Sequence, residues 1–419
     1  MLCGSLLLMA AAAPAQTASQ PAGTAGLRQR MWPPKTSRSL LRDDRIARAR
    51  QLCRADARAA RVLRATLSRA RPWTAFSDEQ LRQLLPDGRV CRAVDVSFEG
   101  CPVHGTAVFK FGTYPWKLDP AHPYTLTCPV GGERYPSNDF EAFYRGGMTD
   151  RSLLTGPYPD DGRGWRSPSG EKHWFVAHAC HGNWQKSWIP AVVALSQAYV
   201  LTGERIYAQR AAAMLDRIAE VYPGMDYNTQ SRLGEQRAER KGTPYDGKIL
   251  MKIWETKVFR DLVESYDRIF DSLVGDQAIA LSWRSAADIR ANIEANLVEE
   301  GIDAIKASKI RGNFGMHQSA LAVAAAVRQT GEAPRLIEGI LTETGGDIAG
   351  EGLNYALYNF VFKDGMPNES SPYYASTWVD QMALLAEAMH LAGVDLYKLP
   401  KLRRMFDAPL DLLCAGSFT

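Results

Sequence analysis

From residue 173 onward, apolar residues recur at helical spacing in one segment after another, and the alternation typical of strands is nearly absent. Helical segments are predicted at 184–202, 207–222, 248–270, 285–307, 313–330, 333–343 and 377–392. Short connections between them favour helical hairpins, so the sequence predicts an all-α fold. Because no fixed-period repeat is visible, we expect an (α/α) toroid, an incomplete barrel of hairpins, rather than a regular solenoid.

Three segments precede this helical region, which we take as a toroid domain over 173–419. Residues 1–15 combine a short apolar run with a small-residue cleavage pattern, which predicts a signal peptide and a periplasmic or secreted protein. Residues 16–75 are an Arg-rich arm, and residues 76–172 have many Gly, Pro and aromatic residues. The latter pattern predicts a loop-rich region packed on the toroid.

Positive charge is concentrated in the arm. Residues 27–75 hold 14 Lys or Arg against 3 Asp or Glu, whereas the whole chain has a net charge of only +4. We interpret the arm as a solvated helix face, and a surface that attracts acidic polymers is the alternative. Behind a secretion signal we expect no nucleic acid partner, and the composition predicts no membrane span. The oligomeric state stays open.

Seven cysteines are spread along the chain, and six would remain after signal cleavage. Cys101-Pro-Val-His104 and Cys128-Pro-Val-Gly131 resemble two zinc knuckles, and Cys91 could supply the ligand that Gly131 cannot. These residues are therefore candidates for a structural zinc site, with disulfides as the alternative in an oxidising compartment.

Asn313 and His317 are the first candidate pair for chemistry. Four residues apart on a predicted helix, they would project from one face and could together neutralise an anion. The alternative is an Asn near a helix start, followed by a hydrogen-bonded core histidine.

The segment 364–374, DGMPNESSPYY, is the second candidate. Its Gly and Pro residues predict a rigid non-helical turn that carries Glu369, Tyr373 and Tyr374. A phenol has a pKa of about 10 and becomes a useful base only when nearby cations or donors stabilise its anion. Arg311 and His317 are the groups that could do so, and packing is the alternative role for the tyrosines.

Several motifs together resemble the heparinase II/III and alginate lyase group of polysaccharide lyases, over roughly residues 95–395. They are GNFGMHQSALAVAAA (312–326), DGMPNESSPYYAS (364–376), CPVGGERYPSND (128–139), HGNWQ (181–185) and the hairpin at 195–223. The resemblance implies that Asn313 neutralises a uronate carboxylate and that Tyr374, within an E-x-S-x-x-Y pattern, is the base and acid. Tyr373 is the alternative base if the motif is aligned one residue earlier, and His317 is a further catalytic candidate.

The implied reaction is β-elimination on an acidic polysaccharide, and it requires no metal or other cofactor. Carboxylate neutralisation acidifies the C5 proton, which a tyrosinate then removes. Members of the group usually supply a further histidine from a β-sheet domain after the toroid. We expect this chain to lack that domain, which leaves the histidine unassigned.

Other polar and aromatic residues are candidates for lining the substrate cleft. They are His181, Asn183, Trp184, Trp254, Glu255, Arg311, Glu369 and Tyr373. Two other functions stay open at this point. One is an inverting glycoside hydrolase that uses Asp226, Glu255 or Glu369 as its carboxylates, and the other is a non-catalytic glycan-binding module.

Overall fold

A computed structural model describes residues 34–225, 247–328, 331–342, 352–369 and 371–411. The predicted signal peptide, Asp226 and Cys414 lie outside these residues. Helices make up most of the described chain, which confirms the all-α prediction. The α-helices are α1 Asp43–Ala55, α2 Ala57–Thr74, α3 Asp78–Leu84, α4 Phe140–Arg145, α5 Phe175–Asn183, α6 Ile189–Thr202, α7 Arg205–Val221, α8 Lys252–Ile269, α9 Ala286–Ile293, α10 Glu300–Lys306, α11 Met316–Arg328, α12 Ala333–Thr342, α13 Leu353–Asn359, α14 Pro372–Leu391 and α15 Pro400–Asp411.

Two of these helices are continued through π-helical turns. Trp184–Trp188 joins α5 to α6, and Glu294–Glu299 joins α9 to α10. Helix α6 is apolar on nearly every side and lies between α2, α7 and α8 in the main core, as expected for an Ala- and Val-rich helix with no polar face. It ends at Gly203, where the sequence predicts a stop.

The two helices of the Arg-rich arm pack on this helical body. Ala70 and Trp73 of α2 are buried in the same core as α6, and the Arg50 guanidinium donates to the Val200 carbonyl over 2.8 Å. The opposite faces of α1 and α2 carry the solvated arginines that the sequence predicts, which are Arg45, Arg48, Arg54, Arg58, Arg61 and Arg64.

Residues 76–172 contain many loops, with short strands and small separate cores. Strands β1 Lys117–Leu118, β2 Leu126–Thr127 and β3 Arg134–Tyr135 make an antiparallel sheet, and β4 Trp165–Arg166 pairs with β5 Lys172–His173. β1 and β2 contact α5, so this region covers the first helix of the body.

Helix α11 packs along α14, and α8 lies on its other side. This layered pairing fits helical hairpins, and their closure into a toroid stays a prediction. In the described part of the chain, no helix has both the length and the apolar character needed to cross a membrane.

Candidate active site

The turn that contains Asn313 meets the second and third turns of α14. Phe314 stacks on Trp378 with ring centroids 5.2 Å apart and planes 26° from parallel. Gly315 has a φ of +89°, and a Cβ there would lie 2.8 Å from the Cβ of Gln381, so this close approach requires glycine. Segments that lie about sixty residues apart in sequence are thereby held side by side.

Asn313 itself is in this turn and not on the helix, because α11 begins at Met316. The prediction that Asn313 and His317 project from one helical face is therefore wrong. The Gln318 side chain accepts a hydrogen bond from the Gly315 amide over 2.8 Å and thus fixes the turn. Asn313 is half-buried, so its side chain retains contact with solvent.

Tyr373 and Tyr374 lie in the first turn of α14, which corrects the prediction of a non-helical loop. The proline before them occupies the first helical position, where no amide hydrogen is needed, and the Ser371 hydroxyl caps the helix by accepting from the Tyr374 amide over 3.3 Å. Both phenols are accessible, with Tyr373 77% and Tyr374 49% exposed. A substrate at this helix end could therefore reach either hydroxyl.

Glu369 precedes this helix and is tied to it. Its carboxylate accepts from the Trp378 indole Nε1 over 3.0 Å, so it supports the ring that Phe314 stacks against. Trp378 is the residue that joins the Asn313 turn, the Glu369 loop and α14. Residue type did not identify Trp378 or Gln318, although Gln318 lies within the first motif and Trp378 two residues after the second.

His317 is buried in the first turn of α11, beside exposed Arg311. Burial is the main cause that lowers the pKa of His317 to about 4, and the nearby Arg311 charge acts in the same direction. Its ring lies near the Gly312 backbone, but neither ring nitrogen makes a hydrogen bond of normal geometry to a described residue. Near neutral pH the imidazole is therefore uncharged, and Arg311 is the cation of this group.

Four predicted cleft residues are buried. His181 and Asn183 lie in α5, which contacts β1 and β2 of the loop-rich region. Trp184 belongs to the main helical core, where it packs edge-on against Trp188 at 5.0 Å, and Glu255 is buried in α8. Trp254 is 46% exposed, so it is the one of these five that presents an aromatic face. Sugar contact by the four buried side chains stays a prediction.

A buried polar network, which the sequence analysis did not predict, surrounds Glu255. Arg92 donates to the carbonyls of Met225, Gly247 and Leu250, and the Glu255 carboxylate accepts from the Leu250 amide over 2.5 Å. Burial raises the pKa of Glu255, whereas the Leu250 amide and the Arg92 charge lower it. The network thus joins residues 225 and 247 to α8 around a carboxylate with no exposed surface.

Buried neutral histidines predict a stability loss in mild acid. Burial lowers the pKa of His178 to about 4, while the unfolded state takes up its proton near 6.5. The unfolded state therefore binds more protons as the pH falls from 7 to 5, and the free energy of unfolding drops by about 1–2 kcal/mol for this residue. Urea titrations at pH 7 and pH 5 measure the free energy of unfolding. Between these pH values it should fall less in His178→Gln than in the wild type, by the amount that His178 contributes.

His390→Gln is the matched control because that imidazole is exposed on α14. It should keep the wild-type difference between pH 7 and pH 5. An identical pH dependence in the wild type and His178→Gln would contradict the assignment. Contributions from other titrating groups cancel in this comparison.

Three of the predicted zinc-knuckle residues, Cys101, His104 and Cys128, lie together, and Glu133 lies with them in place of Cys91. Cys101 Sγ and Cys128 Sγ are each 3.6 Å from His104 Nδ1, and Glu133 Oε2 is 3.3 Å from the same nitrogen. The four donor atoms lie within 4.8 Å of one another. Burial raises the pKa of the Cys128 thiol, although the amides of Gly131 and Val130 hydrogen-bond its sulfur and lower the pKa.

Cys91 does not belong to this cluster, which corrects the sequence prediction. It packs with Trp174 and Ala177 in a different small core, and its thiol donates to the Gly162 carbonyl over 2.9 Å. All cysteines in the described chain are free thiols, namely Cys53, Cys91, Cys101, Cys128 and Cys180. Glu133 was missed, although a carboxylate five residues after Cys128 is a recognisable signal.

Compared with known proteins, the chain matches no family model, and no curated protein is similar enough to count as a relative.

Proposed function

We propose that this protein is a polysaccharide lyase that cleaves a uronic-acid polymer by β-elimination. The observation that carries the proposal is the meeting of the Asn313 turn with the second turn of α14, through the Phe314 and Trp378 stack, one helical turn after Tyr374. The proposal assigns the Asn313 amide, the Arg311 cation and the two accessible phenols to one site around this contact. The motif resemblance supports the same assignment, with the helical body as the toroid and the periplasm or exterior as its compartment.

The chemistry follows from these groups. Asn313 would donate a hydrogen bond to the uronate carboxylate and Arg311 would add positive charge, so the enediolate that forms on C5 deprotonation is stabilised. Tyr374, as tyrosinate, removes the C5 proton. The electron pair forms the C4–C5 double bond, the C4–O bond breaks, and the phenol returns a proton to the departing oxygen.

The glycoside hydrolase alternative fits the described residues less well. It requires two carboxylates that face a water molecule across the scissile bond. Glu255 is fully buried against a backbone amide, and Glu369 is engaged by the Trp378 indole. The exposed groups at this helix end are phenols, which suit proton transfer in an elimination.

The direct test is ultraviolet absorbance, because elimination creates an unsaturated uronate and hydrolysis does not. The full chain should produce this chromophore on at least one of heparan sulfate, hyaluronan, chondroitin, alginate and polygalacturonate. On that polymer, Asn313→Ala should lower the rate about 100-fold, because one preorganised donor to the developing anion is lost.

Asn359→Ala on α13 is the matched control, since that amide is exposed and bonds only to its own helix at the Tyr355 carbonyl among the described residues. It should retain the wild-type rate. Cleavage of these polymers without the chromophore would refute elimination, and an unchanged rate in a folded Asn313→Ala variant would refute carboxylate neutralisation.

A further inference from the structure

Two turns of the loop-rich region have the same local structure. In the first, the Gly105 amide donates to the Cys101 carbonyl over 2.7 Å, and in the second, the Gly132 amide donates to the Cys128 carbonyl over 3.0 Å. Each turn begins with Cys-Pro-Val and ends at a glycine with positive φ. The Cys101 and Cys128 amides each donate a hydrogen bond to a carbonyl on the far side of their turn, that of Gly105 and that of Glu133. Both are thus compact knuckles that present a sulfur.

The distances between the side chains of these knuckles match a tetrahedral zinc ion. With zinc bonds of about 2.3 Å to sulfur and about 2.0–2.1 Å to nitrogen and oxygen, adjacent sulfur and nitrogen ligands are about 3.5–3.6 Å apart, and nitrogen and oxygen ligands about 3.3–3.4 Å apart. The observed separations are 3.6, 3.6 and 3.3 Å.

Glu133 supplies a second, independent observation. Its Oε2 atom is buried and accepts no hydrogen bond from the described residues, although a buried carboxylate oxygen normally finds a donor. It points to His104 Nδ1 and the two sulfurs. A cation among these atoms would give this oxygen a stronger partner than His104 Nδ1, which lies 3.3 Å away.

Gly131 provides the space for this arrangement. A Cβ there would lie 2.2 Å from Glu133 Oε1 and 2.3 Å from His104 Cε1. The position where the knuckle pattern lacks its usual ligand is therefore the one that lets Glu133 reach the cluster. The Glu133 carboxylate, two residues after Gly131, takes the place of the missing fourth ligand.

We propose that Cys101, His104, Cys128 and Glu133 bind one structural zinc ion. Two thiolates, an imidazole and a carboxylate complete a four-coordinate site that leaves no open position for a substrate. The Tyr135 hydroxyl lies 3.1 Å from Cys101 Sγ and can donate to the thiolate, which orients that ligand.

The zinc site would hold the loop-rich region on the helical body. Tyr135 stacks on Phe175, the first residue of α5, with centroids 4.7 Å apart and planes 12° from parallel. The small core around these rings contains only a few large side chains, so a metal that joins two knuckles adds stability that this core alone supplies poorly. Metal loss should therefore loosen both the knuckles and the start of α5.

Metal content of the purified full chain tests the proposal. Elemental analysis should find one zinc per chain, and Cys101→Ser or Cys128→Ser should reduce it to near zero. Cys53→Ser is the matched control, because that half-buried thiol in α1 bonds to the Ala59 carbonyl, away from the cluster. After zinc removal, hydrogen exchange should increase at the knuckles and at Phe175.

Cobalt keeps the test decisive if a serine variant does not fold. Wild-type protein loaded with Co²⁺ should show the visible absorption of a tetrahedral ion and thiolate-to-metal charge transfer in the near ultraviolet. Gly131→Ala should weaken binding at least tenfold by displacing Glu133 and His104. Gly132→Ala should preserve it, because a Cβ there meets nothing within 4 Å, although the positive φ makes the turn less stable.

Three results would overturn the proposal. They are wild-type protein that binds no zinc or cobalt, a Cys128→Ser variant that keeps full zinc content, and a Cys101–Cys128 disulfide in place of two thiols. Peptide mass mapping without reductant detects the last.

Discussion

Replacing Tyr374 by phenylalanine is expected to lower the rate of unsaturated-uronate formation about 10²–10⁴-fold, the usual contribution of a positioned general base. The change removes one oxygen from a half-exposed side chain in the first turn of α14, so the fold should persist. Initial rates followed by absorbance over a range of polymer concentrations should show the loss in kcat, with KM nearly unchanged.

Tyr373→Phe is the control because it makes the same chemical change at the adjacent, more exposed phenol. It should retain a rate within a few-fold of wild type. If Tyr373→Phe is inactive and Tyr374→Phe is active, the catalytic base is Tyr373 and not Tyr374. If both variants retain full activity while Asn313→Ala does not, the turn binds the carboxylate but neither tyrosine removes the proton.

Helix positions could be predicted from the sequence because apolar periodicity reports directly on the buried face of a helix. The segments around α6, α8 and α12 were placed within a few residues. The sequence predicts this helix only from residue 377, because a proline is expected to interrupt a helix, whereas α14 begins at Pro372. A proline that follows a capping serine begins a helix, since the first turn has no use for its amide hydrogen.

The candidate site was predictable only in part, for a different physical reason. Residue types in a motif identify the chemistry, but exposure depends on packing between distant segments. His181, Asn183 and Trp184 resemble cleft residues in sequence, but all three are buried. His181 and Asn183 lie in α5, which β1 and β2 contact, and Trp184 lies in the main helical core. Glu133 replaced Cys91 because knuckle geometry, rather than residue type, decides which donor reaches the cluster.

The beginning of the described chain illustrates the same limit. Lys35 falls in the segment that the sequence assigned to a solvated arm, yet it is buried with Asp267 at 2.8 Å. The Ser39 and Leu40 amides donate to that same carboxylate, each over 2.8 Å. No local pattern could reveal this contact, because more than two hundred residues separate the partners.

Beside Lys35 lies a set of buried charges that holds several helices together. Arg328, at the end of α11, donates to Glu294 over 2.7 Å and to Glu299 over 3.1 Å, and all three side chains are essentially without solvent exposure. The Tyr266 hydroxyl of α8 donates to Glu294 over 2.7 Å. Arg328 therefore balances two carboxylates that lie in one π-helical turn.

Arg328→Met is expected to lower the free energy of unfolding by about 3–5 kcal/mol, because it removes the guanidinium that contacts both buried carboxylates, Glu294 and Glu299. That loss is a large share of the stability of a typical domain. Urea unfolding followed by circular dichroism should show a lower midpoint with a similar slope. Most of the loss comes from the charge of the two buried carboxylates rather than from the lost hydrogen bonds. Changing Glu294 and Glu299 to Gln in the Arg328→Met variant should therefore recover part of the free energy of unfolding.

Arg335→Met on α12 is the matched control, since that side chain is 85% exposed and its contact with Glu332 spans 3.9 Å. Exposed pairs contribute at most about 1 kcal/mol, so this variant should unfold close to wild type. Equal midpoints for the two Arg→Met variants would contradict the network. A further loss on adding the two Gln substitutions to Arg328→Met would show that the carboxylates are stabilised by groups other than the arginine.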